Sequence, residues 1–366
     1  MRTLSQGSIA HLLPVLLLLL CGCKTGYVLD QGSEFLQLMS QREPINESLS
    51  SDQLTDHQEQ QLRLIQDVRS FSEREIGLQV GDAYTTYVHL DRQAVSWNIT
   101  GTTELSTQPL TWTFPIAGRF PYIGFFDRGD AEEYHEQLQL DGYDVEMRPV
   151  NAFSTLGWFS DPVFSPMLNS SDPLLVNTVI HELVHRTIFI SGHTSLNEAI
   201  ATEIGRIATI SFLRRRHGSS APIVQRTKQY FEDVSRVQDF FLNLRKQLNA
   251  VYTGDHTPGE KRHRKQRVIM HARRSFVNLL DRLKTTGWER LLSTRWNNAF
   301  VASRAVYYQH TGLVRRLWTK AFQRNLPRTI DFLKSLDSHQ PMEQIRKRID
   351  QAETESGSVS PSTASR

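Results

Sequence analysis

The chain has 366 residues, of which 39% are hydrophobic and 22% are charged. These values are ordinary for a globular protein, and a chain of this length can bury a substantial core as one large domain or two joined halves. The net charge of +3 is too small to indicate a nucleic-acid partner, and no internal repeat is visible.

The first 22 residues are typical of a lipoprotein signal peptide. Arg2 supplies a weak positive region, and residues 12–20 form an apolar run that is too short to span a bilayer. Residues 20–23 read Leu-Cys-Gly-Cys, which resembles a bacterial lipobox, so Cys23 is the predicted lipidation site. The alternative is an ordinary secretory signal with incidental cysteines.

A lipid on Cys23 would hold the protein at a membrane surface without spanning the membrane. Lys24 rather than aspartate follows this cysteine, which resembles outer-membrane sorting in Gram-negative cells. We therefore expect a protein of the bacterial cell envelope, lipid-anchored at the periplasmic face of the outer membrane. After cleavage Cys23 would be the only cysteine left, so no disulfide is expected.

The remaining pattern predicts an α+β fold, with a mixed sheet region, then a pair of helices and a largely helical C-terminal half. Residues 23–83 are predicted to form an N-terminal anchor and helical segment. A second domain would cover residues 84–345, with an α+β part at 84–170, the helix pair at 172–210 and a helical part at 211–345. Ser, Thr and Glu dominate from Ala352 onward, so residues 346–366 are expected to form a disordered tail.

Two segments of the α+β part contain candidate substrate contacts. Glycine and proline punctuate residues 116–126, which favours either an edge strand that binds an extended peptide or core sheet with a bulge, and Gly118 lies in this segment. Residues 151–167 form an aromatic loop or short strand before the helix pair, with Thr155 and Gly157 as candidates for the pocket wall. The alternative is that the aromatic residues of this loop seal the core.

Residues 181–185 read His-Glu-Leu-Val-His within a helix that is predicted to begin at Asp172-Pro173 and to end near Ser191-Gly192. Imidazoles one turn apart share a helix face, so His181 and His185 can hold one zinc ion. Glu182 can then take a proton from a metal-bound water that attacks a carbonyl carbon. The motif predicts metal-assisted hydrolysis.

A catalytic zinc ion usually takes three protein ligands and keeps one position open. Glu198 is the predicted third ligand, because a second helix capped at Thr194 or Ser195 would carry it back past the histidines. Two alternatives remain open. Glu198 could instead complete a capping box with Ser195, and His193 could supply the third ligand.

The His-Glu-x-x-His motif and Asn-Glu-x-x-Ala at residues 197–201 resemble the gluzincin metallopeptidases, the group that includes thermolysin and the zinc aminopeptidases. The gap between the motifs is shorter than in those enzymes and is similar to that of a family of predicted bacterial aminopeptidases, often lipoproteins. Four further segments resemble that family: residues 97–98, 112–118, 154–159 and 297–299. The chain departs from the family pattern at His193, at Glu203 and near Thr113 and Arg119, where the family has an aspartate, an aromatic residue and cysteines respectively.

The C-terminal half contains candidates for the rest of an active site. A donor that stabilises the oxyanion could be Tyr307, Tyr308 or His310, and the resemblance favours Tyr307. Asn298 is a candidate substrate ligand, and Glu203 could hold a substrate ammonium group or simply lie exposed on its helix. Basic runs at residues 214–216 and 261–265 could contact anionic lipid headgroups, although solvated helix ends are favoured.

These patterns together predict a zinc metallopeptidase that acts on a peptide or protein, and the resemblance implies an aminopeptidase. Trimming from an N-terminus requires carboxylates around the free ammonium group, and the glycine-rich acidic motif of well-known zinc aminopeptidases has no clear counterpart here. Two other functions remain open. One is a non-catalytic zinc-containing envelope protein that binds peptides, and the other is a zinc amidase with a non-peptide substrate.

Overall fold

The computed structural model describes residues 24–114, 118–152, 160–306 and 310–357. It divides into two compact units, Met1–Arg42 and Glu43–Arg366. In the first unit, the described residues form helix α1 (Lys24–Ser40). Residues 43–83 belong to the second unit and contribute buried side chains such as Ile45 and Leu62 to its main core, so this division of the chain falls after Arg42 rather than between residues 83 and 84.

The second unit combines short strands with many helices. Its strands are β1 (Glu43–Pro44), β2 (Thr86–Val88), β3 (Ser96–Thr102), β4 (Trp112–Phe114), β5 (Gly118–Phe120), β6 (Ile123–Phe125), β7 (Asp144–Val150) and β8 (Val163–Phe164). Its α-helices are α2 (Ile45–Ser48), α3 (Asp56–Arg74), α4 (Arg128–Leu140), α5 (Asp172–Thr187), α6 (Thr194–His217), α7 (Pro222–Thr253), α8 (Pro258–Leu280), α9 (Arg290–Ser293), α10 (Asn298–Val306), α11 (Thr311–Arg316), α12 (Leu326–Lys334) and α13 (Pro341–Gly357). A 3-10 turn (Ser165–Asn169) precedes α5, and a π-helical turn (Leu317–Ala321) follows α11. The predicted α+β class is confirmed.

The strands form three small sheets. In the first, β2 pairs antiparallel with β1 and parallel with β8. In the second, β3 lies between β6 and β7 and pairs antiparallel with both. The third consists of β4 and β5, which pair antiparallel.

The segment 116–126 was predicted to be either an edge strand or core sheet with a bulge, and its described part contains two short strands. Within the described part of that segment, residues 118–126, β5 pairs with β4, whereas β6 pairs with β3 in a different sheet. The chain bends between them at Pro121, whose ring fixes φ and removes a backbone donor. β6 lies at one end of the strand order of its sheet, so the predicted edge position applies to this shorter strand.

Helix α3 lies within the segment 23–83, part of which was predicted to be helical. Thr55 caps its first turn in a capping box with Gln58. Leu62, Ile65 and Val68 recur at helical spacing and are fully buried, and α3 packs on α5 through this face. The helix that carries the histidine motif is thereby fixed from one side.

The α5–α6 pair begins where predicted and differs from prediction at its turn. Ser171 is the N-cap and Asp172 is the first helical residue, where its carboxylate accepts a hydrogen bond from Gln61 at 2.7 Å. Helix α5 ends at Thr187 rather than near residues 191–192, because Ile188 adopts an extended conformation. Helix α6 runs to His217, beyond the predicted limit of residue 210.

The predicted disordered tail is wrong for residues 346–357, which belong to α13. Ile345, Ile349 and Ala352 are buried in the main core, and their spacing places them on one face of the helix. Composition alone misled here, since three apolar side chains at the right spacing are enough to dock a helix. Residues 358–366 lie outside the described part of the chain.

The basic run at residues 261–265 lies in the first two turns of α8. Lys265 pairs with Asp144 at 2.6 Å, and Arg262 pairs with Glu104 at 2.8 Å. Both pairs join α8 to the strand region. Among the described residues, no helix combines the length and apolar character needed to cross a membrane.

Candidate metal centre

Helices α5 and α6 bring three potential metal ligands together. Nε2 of His181 and Nε2 of His185 are 3.2 Å apart. Oε2 of Glu198 lies 3.5 Å from the first of these nitrogens and 3.6 Å from the second. Since His185 and Glu198 are buried and His181 is partly exposed, the cluster opens on the His181 side.

The donor set fits a tetrahedral divalent cation such as zinc. Zinc bonds to imidazole nitrogen and carboxylate oxygen are about 2.0–2.1 Å long, and tetrahedral angles then separate ligand atoms by about 3.3–3.4 Å. The three observed separations scatter around this value. In addition, Oε2 of Glu198 is buried with no hydrogen-bond donor among the described residues, a costly state that a bound cation would relieve.

The electrostatics of the metal-free cluster favour an ion pair. Burial alone would raise the pKa of the Glu198 carboxyl group, but His185 and His181 hold it well below its usual range. Burial likewise opposes the charged form of His185, yet the carboxylate of Glu198 outweighs it and raises the pKa of the imidazole. The three side chains are therefore held together before any metal binds.

Glu182 lies on α5 between the two histidines and is half-buried. Burial raises the pKa of its carboxyl group, and the negative charges of Glu198 and Asp161 act in the same direction, while the two histidines oppose them. A carboxylate with a raised pKa is better matched to proton transfer near neutral pH. The predicted role as general base stays a prediction.

The structure also shows the residues of the two alternatives, His193 as the third ligand and a capping box between Glu198 and Ser195. His193 is the N-cap residue of α6, and its Nε2 donates to the carbonyl oxygen of Ser338 at 2.8 Å. The first turn of α6 has no side-chain cap, so Glu198 is not engaged in a capping box with Ser195. Of the three arrangements, only the one with Glu198 beside the two imidazoles matches the structure, and its role as a metal ligand stays a prediction.

Asn197 is a site residue that the sequence reasoning missed. Its buried side chain donates to the carbonyl oxygen of Ile190 at 2.8 Å and accepts from the amide of Ile190 at 2.9 Å. These bonds close the turn between α5 and α6, where Gly192 adopts a left-handed φ of 79°. Its place directly before Glu198 was the signal that could have suggested a supporting role.

Glu203 is not the exposed residue that one prediction offered. Its carboxylate is 1% exposed and accepts from Nε and Nη2 of Arg315 at 2.5 and 3.1 Å. Arg206 also lies 4.0 Å away. Glu203 therefore joins α6 to α11, and its carboxylate is already engaged.

The other predicted residues either lie outside the described part of the chain or have contacts elsewhere. Cys23, Thr155, Gly157, Tyr307 and Tyr308 lie outside the described residues. Gly118 begins β5 with a left-handed φ of 88°. Asn298 is fully buried, accepts from the Tyr252 hydroxyl at 2.6 Å and donates to the carbonyl oxygen of Glu104 at 2.8 Å, which are structural contacts. The predicted substrate roles of Gly118 and Asn298 stay predictions.

The fold and the cluster define an α+β protein in which two helices present a His-Glu-x-x-His motif and a third, carboxylate ligand to one candidate metal position. Residues 26–348 match the profile of a family described as "Putative aminopeptidase", and the chain belongs to this family. Searches of the curated proteins and of the solved structures find no significant match.

Proposed function

We propose that this protein is a zinc-dependent metallopeptidase of the gluzincin type that cleaves peptide bonds, most simply as an aminopeptidase. The observation that carries this proposal is the cluster of His181, His185 and Glu198 at the ligand spacing of a tetrahedral ion. Membership of the family supports the peptidase class.

His181, His185 and Glu198 would hold the ion. When bound, zinc supplies a water molecule with a pKa lowered to about 7 and polarises the substrate carbonyl group. Glu182 accepts the proton from the attacking water on its carboxylate and passes it to the nitrogen of the leaving amine. Because the pKa of Glu182 is raised, its protonated form is a competent acid for this second transfer.

Replacing Glu182 by glutamine tests the role of the base. We predict that Glu182→Gln binds zinc with wild-type stoichiometry and loses at least about a hundredfold in kcat, the lower range for loss of a general acid and base. His185→Ala should lose the metal itself. Zinc content by inductively coupled plasma analysis and hydrolysis of aminoacyl amides are the two measurements, and full activity of Glu182→Gln would remove its assigned role.

The same assay separates the classes of substrate. An aminopeptidase cleaves aminoacyl amides and loses activity when the substrate amine is acetylated. Cleavage of internally quenched peptides with blocked ends would instead indicate an endopeptidase. A zinc-loaded protein that cleaves none of these substrates would contradict the peptidase proposal.

We further propose that lipidation of Cys23 anchors the protein in the bacterial envelope, where it meets its peptide or protein substrate. The support is the lipobox-like sequence at residues 20–23 and the apolar run before it. Metabolic labelling with an alkyne fatty acid should mark the wild-type protein and not the Cys23→Ser variant. Labelling of both proteins would contradict this anchor.

A further inference from the structure

Tyr84 has an unusual backbone conformation for a bulky residue. Its φ is 58°, in the left-handed region where a side chain of this size is strained. Of the described non-glycine residues with positive φ, Gln323 and Arg324 are exposed, whereas Tyr84 is only 1% exposed. Strain at a buried position persists only when the surrounding structure enforces it.

Contacts from two sides enforce this conformation. The amide of Tyr84 donates to the carbonyl oxygen of Asp161 at 2.7 Å, and its own carbonyl oxygen accepts from Gln66 of α3 at 3.1 Å. Arg69 of α3 donates to the carbonyl oxygens of Ala83 at 2.6 Å and of Gly81 at 2.9 Å. Helix α3 thus holds the whole approach to Tyr84 in place.

The segment that leads to Tyr84 runs along α5 towards the metal centre. The amide of Gln79 donates to Oγ1 of Thr187 at 2.9 Å, and Asp82 pairs with Arg186 at 3.2 Å. At Gly81 the fit is so close that a Cβ atom would lie 2.8 Å from Nη2 of Arg186. From Gln79 to Asp82 the contacts therefore shift from Thr187 to Arg186, and Glu182 is one turn beyond Arg186 in this direction.

The pKa of the Tyr84 hydroxyl agrees with this alignment of residues 79–84 along α5. Burial raises the pKa of the Tyr84 hydroxyl well above its usual value, and the negative charge of Glu182 raises it further. Tyr87, three residues later, shows no influence of Glu182, since its pKa is raised by burial and by Glu43. Of these two buried tyrosines, Tyr84 is the one whose hydroxyl senses Glu182.

The hydroxyl of Tyr84 has no evident structural purpose. It is buried and has no hydrogen-bond partner among the described residues. An unpartnered buried hydroxyl is destabilising unless a bound water molecule satisfies it. A strained backbone and an unsatisfied donor at one buried residue together indicate a group reserved for function.

We propose that Tyr84 is a positioning residue for Glu182, whose carboxylate accepts a hydrogen bond from one ordered water that the Tyr84 hydroxyl also binds, and is thereby oriented towards the metal position. This inference rests on the proposed peptidase function for its catalytic consequence. The hydrogen bond itself can be tested without it.

The catalytic consequence is tested with Tyr84→Phe and with Tyr87→Phe as the matched control. Tyr87 is also buried, but its hydroxyl contacts Nδ1 of His89 at 3.4 Å instead of the metal centre. Tyr84→Phe should lower kcat at least about tenfold, within the range for misplacing a catalytic group, and leave KM and zinc content within about twofold of wild type. A wild-type kcat, or a loss that follows KM or zinc content, would overturn the proposal.

A double-mutant cycle on unfolding gives a readout that needs no activity. The urea midpoint is measured for wild type, Tyr84→Phe, Glu182→Ala and the double variant. Tyr84→Phe should lower the midpoint in the wild-type background by more than in the Glu182→Ala background, whereas Tyr87→Phe should shift both equally. Equal shifts for Tyr84→Phe would overturn the hydrogen bond, even if the protein proved to hydrolyse no peptide.

Discussion

At the residue scale, the candidate metal centre is assembled before the metal arrives. Two imidazole nitrogens and one carboxylate oxygen converge within 3.2–3.6 Å, and opposite charges on His185 and Glu198 compensate for their burial. A cation that replaces the proton of His185 finds its ligands already placed. The histidine must lose that proton first, so binding of the metal is linked to pH.

This linkage predicts the direction of the pH dependence. The pKa of His185 is raised above the ordinary histidine value of about 6.5, so protons compete with zinc already at pH values above this. Zinc affinity, measured with a fluorescent competitor, should fall steadily as the pH is lowered from about 8 to about 5. In Glu198→Gln the charge that raises this pKa is gone, so the fall should be displaced to lower pH, on top of weaker binding. An affinity that does not change with pH would contradict the assignment of His185.

The pKa shifts of His185 and Glu198 also determine how this metal-free ion pair contributes to stability at each pH. The lowered pKa of Glu198 gives stability that is lost as the pH falls through its folded value, and the raised pKa of His185 gives stability that is lost as the pH rises through its folded value. Their joint contribution is therefore greatest between the two unfolded values, about pH 4.5 and about pH 6.5.

At the element scale, the turn between α5 and α6 sets the position of Glu198 relative to the histidines. Asn197 holds this turn by two hydrogen bonds to the backbone of Ile190. Glu198 follows directly in the chain, so any relaxation of Asn197 moves the third ligand. The turn is a structural part of the metal centre, although it contains no ligand.

We predict that Asn197→Ala lowers both stability and zinc affinity. Two buried backbone groups of Ile190 would lose their partners, at a cost of about 2–4 kcal/mol in the free energy of unfolding. Urea unfolding and zinc titration are the measurements. Ser195→Ala is the matched control in the same helix turn, and it should change neither quantity because Ser195 does not cap Glu198. An equal effect of both substitutions would contradict this role for Asn197.

The sequence predicted the elements better than their ends. The apolar spacing of α3 and the one-turn spacing of His181 and His185 are local signals, and both segments are helical in the structure. The turn after α5 depends on the hydrogen bond between Asn197 and Ile190, which lie seven residues apart. The periodicity of apolar residues carries no information about such a bond. The choice of Glu198 over His193 likewise depended on the contact of His193 with Ser338, 145 residues away in the chain.

At the scale of the whole molecule, helices α5 and α6 belong to a core that contains side chains from both ends of the second unit. Leu62 and Val68 of α3 and Ile345 and Ile349 of α13 lie in the same buried cluster as residues of α5 and α6. A separate aromatic core, which includes Phe241, Phe276, Trp296 and Phe300, joins α7, α8 and α10. Composition could not predict the docking of α13, since its polar residues outnumber the few that pack.

The docked C-terminal helix leads to a prediction on stability. Ile349→Ala removes a fully buried side chain and should lower the free energy of unfolding by about 2–5 kcal/mol. Lys347→Ala on the exposed face of α13 should change it by less than about 0.5 kcal/mol. Urea unfolding measures both, and an Ile349→Ala protein as stable as wild type would contradict the docking of this helix.

The central claim is that one divalent cation binds between α5 and α6. Anomalous diffraction from zinc-loaded crystals, recorded on both sides of the zinc absorption edge, tests it most directly. The predicted result is a single peak about 2.0–2.2 Å from Nε2 of His181, Nε2 of His185 and a carboxylate oxygen of Glu198. A peak held by other side chains, or zinc bound to the histidines with Glu198 turned away, would contradict it.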